Sequence, residues 1–262
     1  MKRIYTLLLV IFLSNVSFAA DFFWISGSGD WNDPVHWSLT SGGAPGVTLP
    51  TANDNAIFDD NSGLLSIGDT VNVNVPVTVH DFDFSGVSNI LTFESLAAVI
   101  IEIQGSLSGN LSGVNFAGVW GEIKMNALVL GETISSQGTI WVQDFRVSGE
   151  QIALLDGFDN GLNSFFVDLG GIDFGGFSFT SFEFHSNVAT LRTINIANST
   201  LNILGGFWAV DSVNLTWTSG ASEMLLGDNA TLAEFNGGGL PYDTLRSQTA
   251  LELSYFKHNQ LV

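Results

Sequence analysis

The best candidates for catalysis or metal binding in this 262-residue sequence are paired carboxylates. Three pairs stand close together: Asp59 with Asp60, Asp81 with Asp83, and Asp156 with Asp159. Two neighbouring carboxylates can serve as general acid and general base, and carboxylate oxygens are also the ligands that Ca²⁺ prefers. The alternative interpretation is structural, because an Asp side chain in a turn bonds to its local backbone.

A calcium site is the only metal or cofactor site that the sequence offers. Asp54, Asp59 and Asp60 cluster beside the first predicted strands, and we take them as the candidate calcium ligands. No other cofactor is indicated.

Other catalytic chemistries lack their motifs. The four histidines are isolated, with no HExxH spacing for zinc, and the chain has no cysteine. No Gly-x-Ser-x-Gly elbow occurs, and no predicted helix follows the Gly-rich stretches to hold a phosphate. The few basic residues are scattered, which disfavours a lyase with a Lys or Arg base beside Ca²⁺. We therefore predict no catalytic residues and no enzyme.

Charge and composition narrow the class of protein. The chain has 45% hydrophobic and 13% charged residues, which excludes intrinsic disorder. Seven basic residues face 26 acidic ones, for a formal charge of -19. Nucleic-acid binding and attraction to anionic lipid both need a basic surface, so neither is expected.

The first nineteen residues have the pattern of a secretory signal peptide. Lys2 and Arg3 precede a short apolar run at residues 6–13, and residues 17–19 (SFA) resemble a cleavage site. We place cleavage after Ala19, with Ala20 as the alternative. The apolar run is about half the roughly 20 residues of a spanning helix. The sequence therefore predicts export and a secreted or cell-surface location, with no membrane span in the mature chain.

The remainder reads as short strands and turns. Segments such as residues 71–75 (VNVNV) alternate strictly, and Gly, Asn, Ser and Asp separate them. No stretch has a helical apolar period with caps at both ends. Two matches at an offset of 100 residues, 82–84 with 182–184 and 101–105 with 201–205, suggest stacked, related rungs. If each rung uses roughly 20–25 residues, about nine rungs fit in the chain. We predict an all-β parallel β-helix, with a β-sandwich as the alternative.

The N-terminal region carries a long motif. Its parts are Phe23 with Trp24, residues 27–31 (GSGDW), 33–34 (DP), 36–38 (HWS), 41–43 (SGG) and 50–59 (PTANDNAIFD). This motif resembles that of large secreted, adhesin-like surface proteins of gliding-type Gram-negative bacteria. Residues 81–86, 191–204 and 235–245 resemble repeat segments of the same proteins. The resemblance implies a right-handed parallel β-helix, export and surface display, and it implies no established activity.

The physical interpretation of this motif is a cap. A β-helix exposes unpaired strand edges at its end, and a Trp-rich segment can cover them. We predict a signal peptide at 1–19, a cap at 20–54 and β-helix repeats at 55–262. The predicted cap residues are Trp24, Trp31, Trp37, Gly27, Gly29 and Pro50. The alternative is that these rings form an aromatic platform for sugar.

Three alternative functions are compatible with a β-helix of this composition. The first is a structural, adhesin-like surface protein that binds a surface glycan or a protein. The second is a carbohydrate-binding module that uses exposed rings such as Trp120, Trp141 or Trp208. The third is a polysaccharide-degrading enzyme, which would need a groove holding three or more carboxylates from successive rungs.

The C-terminal segment has no recognisable cap. Residues 251–256 are strand-like, residues 257–262 look like a trailing segment, and no capping segment is evident. We expect a truncated repeat region that self-associates through its uncapped last rung, beside Leu253, Tyr255 and Phe256.

Overall fold

A computed structural model describes residues 19–66, 68–111, 113–227, 232–248, 250–254 and 257–261. The predicted signal peptide therefore lies almost wholly outside the described residues. The described part is nearly all β-structure, and its only helices are two single 3-10 turns at Pro34–His36 and Asp60–Ser62. The predicted fold class is confirmed: the chain forms a parallel β-solenoid of about 8 turns.

Strands from successive turns pair in parallel and build three sheets along the solenoid. The first half of the chain contains β1 (Ala20–Trp24), β2 (Gly29–Asp30), β3 (Trp37–Ser38), β4 (Asp54–Asp59), β5 (Thr70–Asn72), β6 (Val77–Val79), β7 (Phe82–Gly86), β8 (Leu91–Ile103), β9 (Leu107–Ser108), β10 (Val114–Met125) and β11 (Thr133–Ser135).

The second half continues the same pattern. It contains β12 (Asp144–Leu154), β13 (Phe158–Asp159), β14 (Ser164–Asp173), β15 (Ser178–Ser186), β16 (Arg192–Asn195), β17 (Thr200–Val210), β18 (Leu215–Thr218), β19 (Glu223–Leu226), β20 (Leu232–Asn236), β21 (Pro241–Ser247), β22 (Ala250–Ser254) and β23 (Lys257–Leu261).

Each sheet takes one strand, or half of a long strand, from each turn. The first sheet runs from β1 through β4, β7, β9, β11, β12, β14 and β16 to β18. The second runs from β2 through β5, β8 and β10, and later from β13 through β15, β17, β19 and β21 to β23. The third runs from β6 through β8, β10, β12, β14, β15, β17 and β20 to β22.

Long strands turn the corner between two sheets at irregularities in their pairing. In β10 the register shifts between Gly118 and Trp120 and again between Trp120 and Ile123. Gly118 has a φ of 86°, a left-handed conformation that glycine adopts without steric cost. Such bulges bend a strand and re-aim its side chains.

Inward-facing side chains stack from turn to turn and fill the core. In the third sheet the Phe145 and Phe165 rings lie 5.5 Å apart and nearly parallel, and Phe184 follows 5.9 Å beyond Phe165. Trp208 then stacks on Phe184 at 4.2 Å. The chain has no cysteine and therefore no disulfides. Packing of this continuous column of rings stabilises the fold instead.

The repeat length varies, and the offset of 100 residues does not mark equivalent positions. Successive third-sheet partners are 19 residues apart between Phe165 and Phe184, and 27 between Trp208 and Phe235. Phe84 lies in the first sheet, whereas its supposed match, Phe184, lies in the third. The prediction of stacked turns is confirmed, but the sequence similarity at an offset of 100 residues does not reflect the repeat of the solenoid.

Both ends of the solenoid differ from the sequence prediction. β1 already pairs in parallel with β4, so the first sheet begins at Ala20 rather than near residue 55. β3 then pairs antiparallel with β1 and occupies its outer edge. At the other end, residues 257–261 do not trail but form β23, which pairs with β21. Tyr255 and Phe256 lie outside the described residues, and self-association through this end stays a prediction.

Candidate functional site

The three tryptophans of the N-terminal segment are packed inside the protein. Trp24 and Trp37 are completely buried, and Trp31 is nearly so. Trp37 Nε1 donates to Trp31 O at 2.9 Å, and Trp24 Nε1 donates to Gly27 O at 2.8 Å. Pro50 is also buried. This burial agrees with a capping role and leaves these rings unavailable as a platform for sugar.

His36 completes this cap as a packing residue. Its ring stacks on Trp24 at 4.7 Å with an angle of 7° between the planes, and its Nδ1 lies 3.0 Å from Ile25 O. The ring also lies close to the backbone of Gly29, where a Cβ atom would stand only 1.9 Å from His36 Nε2. A side chain at position 29 is therefore incompatible with the observed place of His36.

We expect Gly29→Ala to destabilise the protein by about 2 kcal/mol, because overpacking of this kind displaces a well-packed ring. Gly68→Ala is the matched control, since a Cβ there meets no atom within 4 Å. Urea denaturation measures both changes. Combining Gly29→Ala with His36→Ala should cost less than the sum of the single changes. Additive effects, or a Gly29→Ala change no larger than that of Gly68→Ala, would contradict the contact.

The structure does not bring the three candidate calcium ligands together. Asp54 and Asp59 stand at opposite ends of β4, about 16 Å apart at the rise of an extended strand. Asp54 Oδ2 accepts from the Thr51 hydroxyl at 2.6 Å, and Asp59 Oδ1 accepts from Asn61 N at 2.8 Å. Within the described ranges, no group of three or more His, Cys, Asp or Glu side chains could hold a metal ion.

Asp60 forms a link between turns of the solenoid. Its two carboxylate oxygens accept from Ser88 N and from the Ser88 hydroxyl, both at 2.7 Å. These bonds favour the ionised form and lower the pKa of Asp60 below its usual value. The residue therefore fastens one surface loop to the next.

The other paired carboxylates also accept hydrogen bonds from backbone N–H groups. Asp156 accepts from Ser136 N at 2.7 Å and from Gln137 N at 2.8 Å. Asp159 accepts from Gly161 N at 2.7 Å, and Asp83 accepts from Ser85 N at 2.8 Å. Their geometry matches the structural alternative for Asp at turns, in which the side chain satisfies backbone N–H groups.

The outer face of the third sheet collects charged and aromatic side chains that sequence reasoning did not group. Lys124 Nζ lies 3.0 Å from Glu102 Oε2, and Arg146 Nε lies 2.8 Å from Glu122 Oε2. Burial opposes ionisation of Glu102, but bonds from Lys124 and neighbouring amides outweigh it and lower its pKa. Burial likewise opposes the charged form of Arg146, but pairing with Glu122 and Asp168 outweighs burial and raises the pKa of Arg146.

Aromatic rings continue this outer face. The Arg146 guanidinium lies 4.4 Å from the centre of the Phe166 ring, which stacks on His185 at 4.8 Å. In the neighbouring row, Glu122 pairs with Asp144 on the next turn, but the turn after that places Ser164 in the same row. This row carries carboxylates on two successive turns, and Glu102 on the preceding turn adds a third on the same face. The number that the enzyme hypothesis asked for is therefore present, but Lys124 pairs with Glu102 and Arg146 pairs with Glu122.

The three tryptophans named for sugar binding have different environments. Trp141 and Trp208 are completely buried in the core and offer no surface to a ligand. Trp120 is only half-buried, at the bulge where β10 leaves the second sheet. It borders a pocket of about 240 Å³, which the sequence did not reveal.

A larger groove of about 400 Å³ lies at the corner between the third and first sheets. Four exposed leucines line it: Leu128, Leu130, Leu169 and Leu191. Large aliphatic side chains grouped on the surface are typical of contact with another macromolecule.

Comparisons of the chain with protein-family models, with curated proteins and with solved structures found no match. Over the part of the chain that the structure describes, no helix has the length and apolar character needed to cross a membrane.

Proposed function

We propose that this chain is a structural, adhesin-like β-solenoid that is exported and displayed at the cell surface and catalyses no reaction. The observation that carries the proposal is the engagement of the candidate carboxylates in the fold. Asp60 and Asp156 bind the backbone of neighbouring turns, so they hold the solenoid together rather than converge on a substrate. Solenoids of this kind commonly present extended surfaces for binding.

Charge and surface chemistry indicate what such a surface contacts. A formal charge of -19 disfavours nucleic acid and anionic lipid as partners. The exposed leucines of the corner groove and the mixed outer face of the third sheet support a protein or a glycan instead.

Export and surface display are tested in a Gram-negative host. We expect the mature protein to begin at Ala20 and to be cut by protease added to whole cells. Leu8→Arg in the apolar run should retain the chain inside the cell, whereas the control Leu8→Ile should not. N-terminal sequencing and cell fractionation measure both outcomes. An uncleaved chain that stays in the cytoplasm would contradict the proposal.

Catalysis is tested on the purified protein with neutral and acidic polysaccharides. We expect no release of reducing ends and no unsaturated products. Product release that disappears in Asp156→Asn or Glu122→Gln would show that the chain is an enzyme. The two variants distinguish the carboxylates of the first-sheet turns from those of the third-sheet outer face.

A further inference from the structure

The corner groove continues as a furrow onto the outer face of the first sheet. A second hollow of about 290 Å³ adjoins the 400 Å³ groove and shares Leu130 and Gln151 with it. The two hollows together, called the furrow below, follow the second half of β12. A Cβ atom at Gly149 would stand 2.3 Å from Ala127 O, and one at Gly170 only 1.6 Å from Gly149 O. These two positions on the floor of the furrow must therefore stay without side chains.

The corner end of the furrow is apolar and open to solvent. Its four leucines, Leu128, Leu130, Leu169 and Leu191, are between 45% and 72% exposed. They come from three different turns: two precede β11, one lies in β14 and one directly precedes β16. Because the core does not cover these side chains, a partner that covers them gains the free energy of removing their surface from water.

The sheet end of the furrow is acidic. Glu132 and Asp173 line the second hollow together with Leu130, and Glu150 lines the corner groove. Glu132 Oε2 accepts from the Ser106 hydroxyl at 2.7 Å, a bond that leaves the negative charge in place. No residue described as lining the furrow is basic, and none of these three carboxylates forms an ion pair within the described part of the chain. The furrow therefore combines exposed aliphatic surface with uncompensated negative charge.

This combination disfavours three occupants. A neutral glycan stacks on aromatic rings, and no aromatic side chain is among the described residues that line the furrow. A polyanion such as nucleic acid would meet three carboxylates. A second copy of this chain would bring the same carboxylates, and the chain has only seven basic residues against 26 acidic ones. A different protein with aliphatic and basic side chains satisfies both ends.

We propose that the furrow binds an extended segment of a partner protein in which aliphatic side chains are followed closely by Lys or Arg. The aliphatic side chains pack on the four leucines, and the basic side chains pair with Glu132 and Asp173. Leu130 and both carboxylates line one hollow, so the two kinds of side chain must lie close together in the segment. The inference rests on the proposed binding role of the solenoid and names the class of partner.

The experiment is a fluorescence-anisotropy titration of the purified full-length chain with labelled heptapeptides. The basic probe has two leucines followed by two lysines at alternate positions, with serines between them. One control peptide has glutamates in place of the lysines, and the other has serines in place of the leucines. The titrations are made at about 0.15 M salt, where exposed charges more than about 8 Å apart are screened. We expect saturable binding of the basic probe and binding of both controls that is weaker by about tenfold or more.

Variants of the chain locate the binding site. Leu130→Ser and Leu191→Ser should each weaken binding of the basic probe about tenfold and leave the melting temperature unchanged, because both side chains project into solvent. Leu111→Ser is the matched control, since this leucine is 83% exposed and lies outside the furrow. Glu132→Lys should also weaken binding about tenfold. Glu94→Lys changes the net charge equally on the second sheet and should have less than about a twofold effect.

Equal weakening in the furrow variants and in their controls would show only general attraction to an acidic protein, and it would overturn the inference. The same holds for no binding of the basic probe, or for tighter binding of the glutamate peptide. Saturable binding of a six-unit gluco-oligosaccharide that Leu130→Ser removes would assign the furrow to a glycan instead. If the chain reaches the cell surface but binds no peptide, this inference alone fails. If it binds the basic probe at the furrow but is not exported, the inference holds and the proposed surface display fails.

Discussion

Arg192→Met is expected to lower the stability of the protein by about 4 kcal/mol, because it removes the buried donor group on which the carbonyl groups of two loops depend. Arg192 is completely buried. Its Nη2 donates to Asp211 O at 2.8 Å and to Val213 O at 2.9 Å, and its Nη1 donates to Ser186. One guanidinium thus joins two successive corner loops of the solenoid.

This buried cation is stabilised by main-chain dipoles rather than by a bonded carboxylate. Burial lowers the pKa of the Arg192 guanidinium, and the nearby carboxylates of Asp211 and Asp168 oppose that change. The side chain stays charged, because the guanidinium of arginine is not deprotonated in proteins. Met has a similar length but neither donor nor charge, so the substitution removes the hydrogen bonds together with the buried charge.

Urea denaturation of Arg192→Met measures the effect, and two further variants test its cause. Arg192→Lys keeps the charge but cannot reproduce the planar fork, so it should recover only part of the loss. Arg246→Met removes an exposed arginine paired with Glu223 at 2.7 Å, and its effect should stay below about 1 kcal/mol. Equal effects at positions 192 and 246 would show that the buried network contributes nothing specific.

The sequence could not reveal this role for Arg192. Its partners are carbonyl oxygens of residues 186, 190, 211 and 213, and every residue type has a carbonyl. A charged partner at a regular spacing would have been visible in the sequence, but these acceptors depend on the path of two loops.

Strand alternation predicted the fold class but could not assign every face. Val71 and Val73 face the core and Asn72 faces outward, as strict alternation requires. Around Trp141 the pattern fails, because Ile140 and Val142 are also apolar and both are about half exposed. Apolar residues on both faces left the direction of Trp141 open, and the variable turn length concealed which residues are equivalent.

The second large effect is expected at the N-terminal end, where Trp37→Ala should destabilise the first turns by about 4 kcal/mol. Trp37 is completely buried, meets Trp31 at 4.8 Å and Trp24 at 5.3 Å, and lies 6.1 Å from Phe58 of the next turn. Its backbone pairs with Trp24 at the outer edge of β1. Removing the indole leaves a cavity in the core and weakens the packing of β3, the strand that covers the end of the first sheet.

The effect should be local before it is global, because each turn of a solenoid contacts only its neighbours. We expect amide exchange in Trp37→Ala to accelerate over residues 20–59 and to change little over residues 200–226. Trp37→Phe should recover more than half of the loss, and Val35→Ala, at a half-exposed position beside the cap, should be nearly neutral. Uniform acceleration along the chain would mean that the solenoid unfolds as one unit. Unchanged exchange at both ends would mean that the Trp37 ring does not close the core, and the capping role would be wrong.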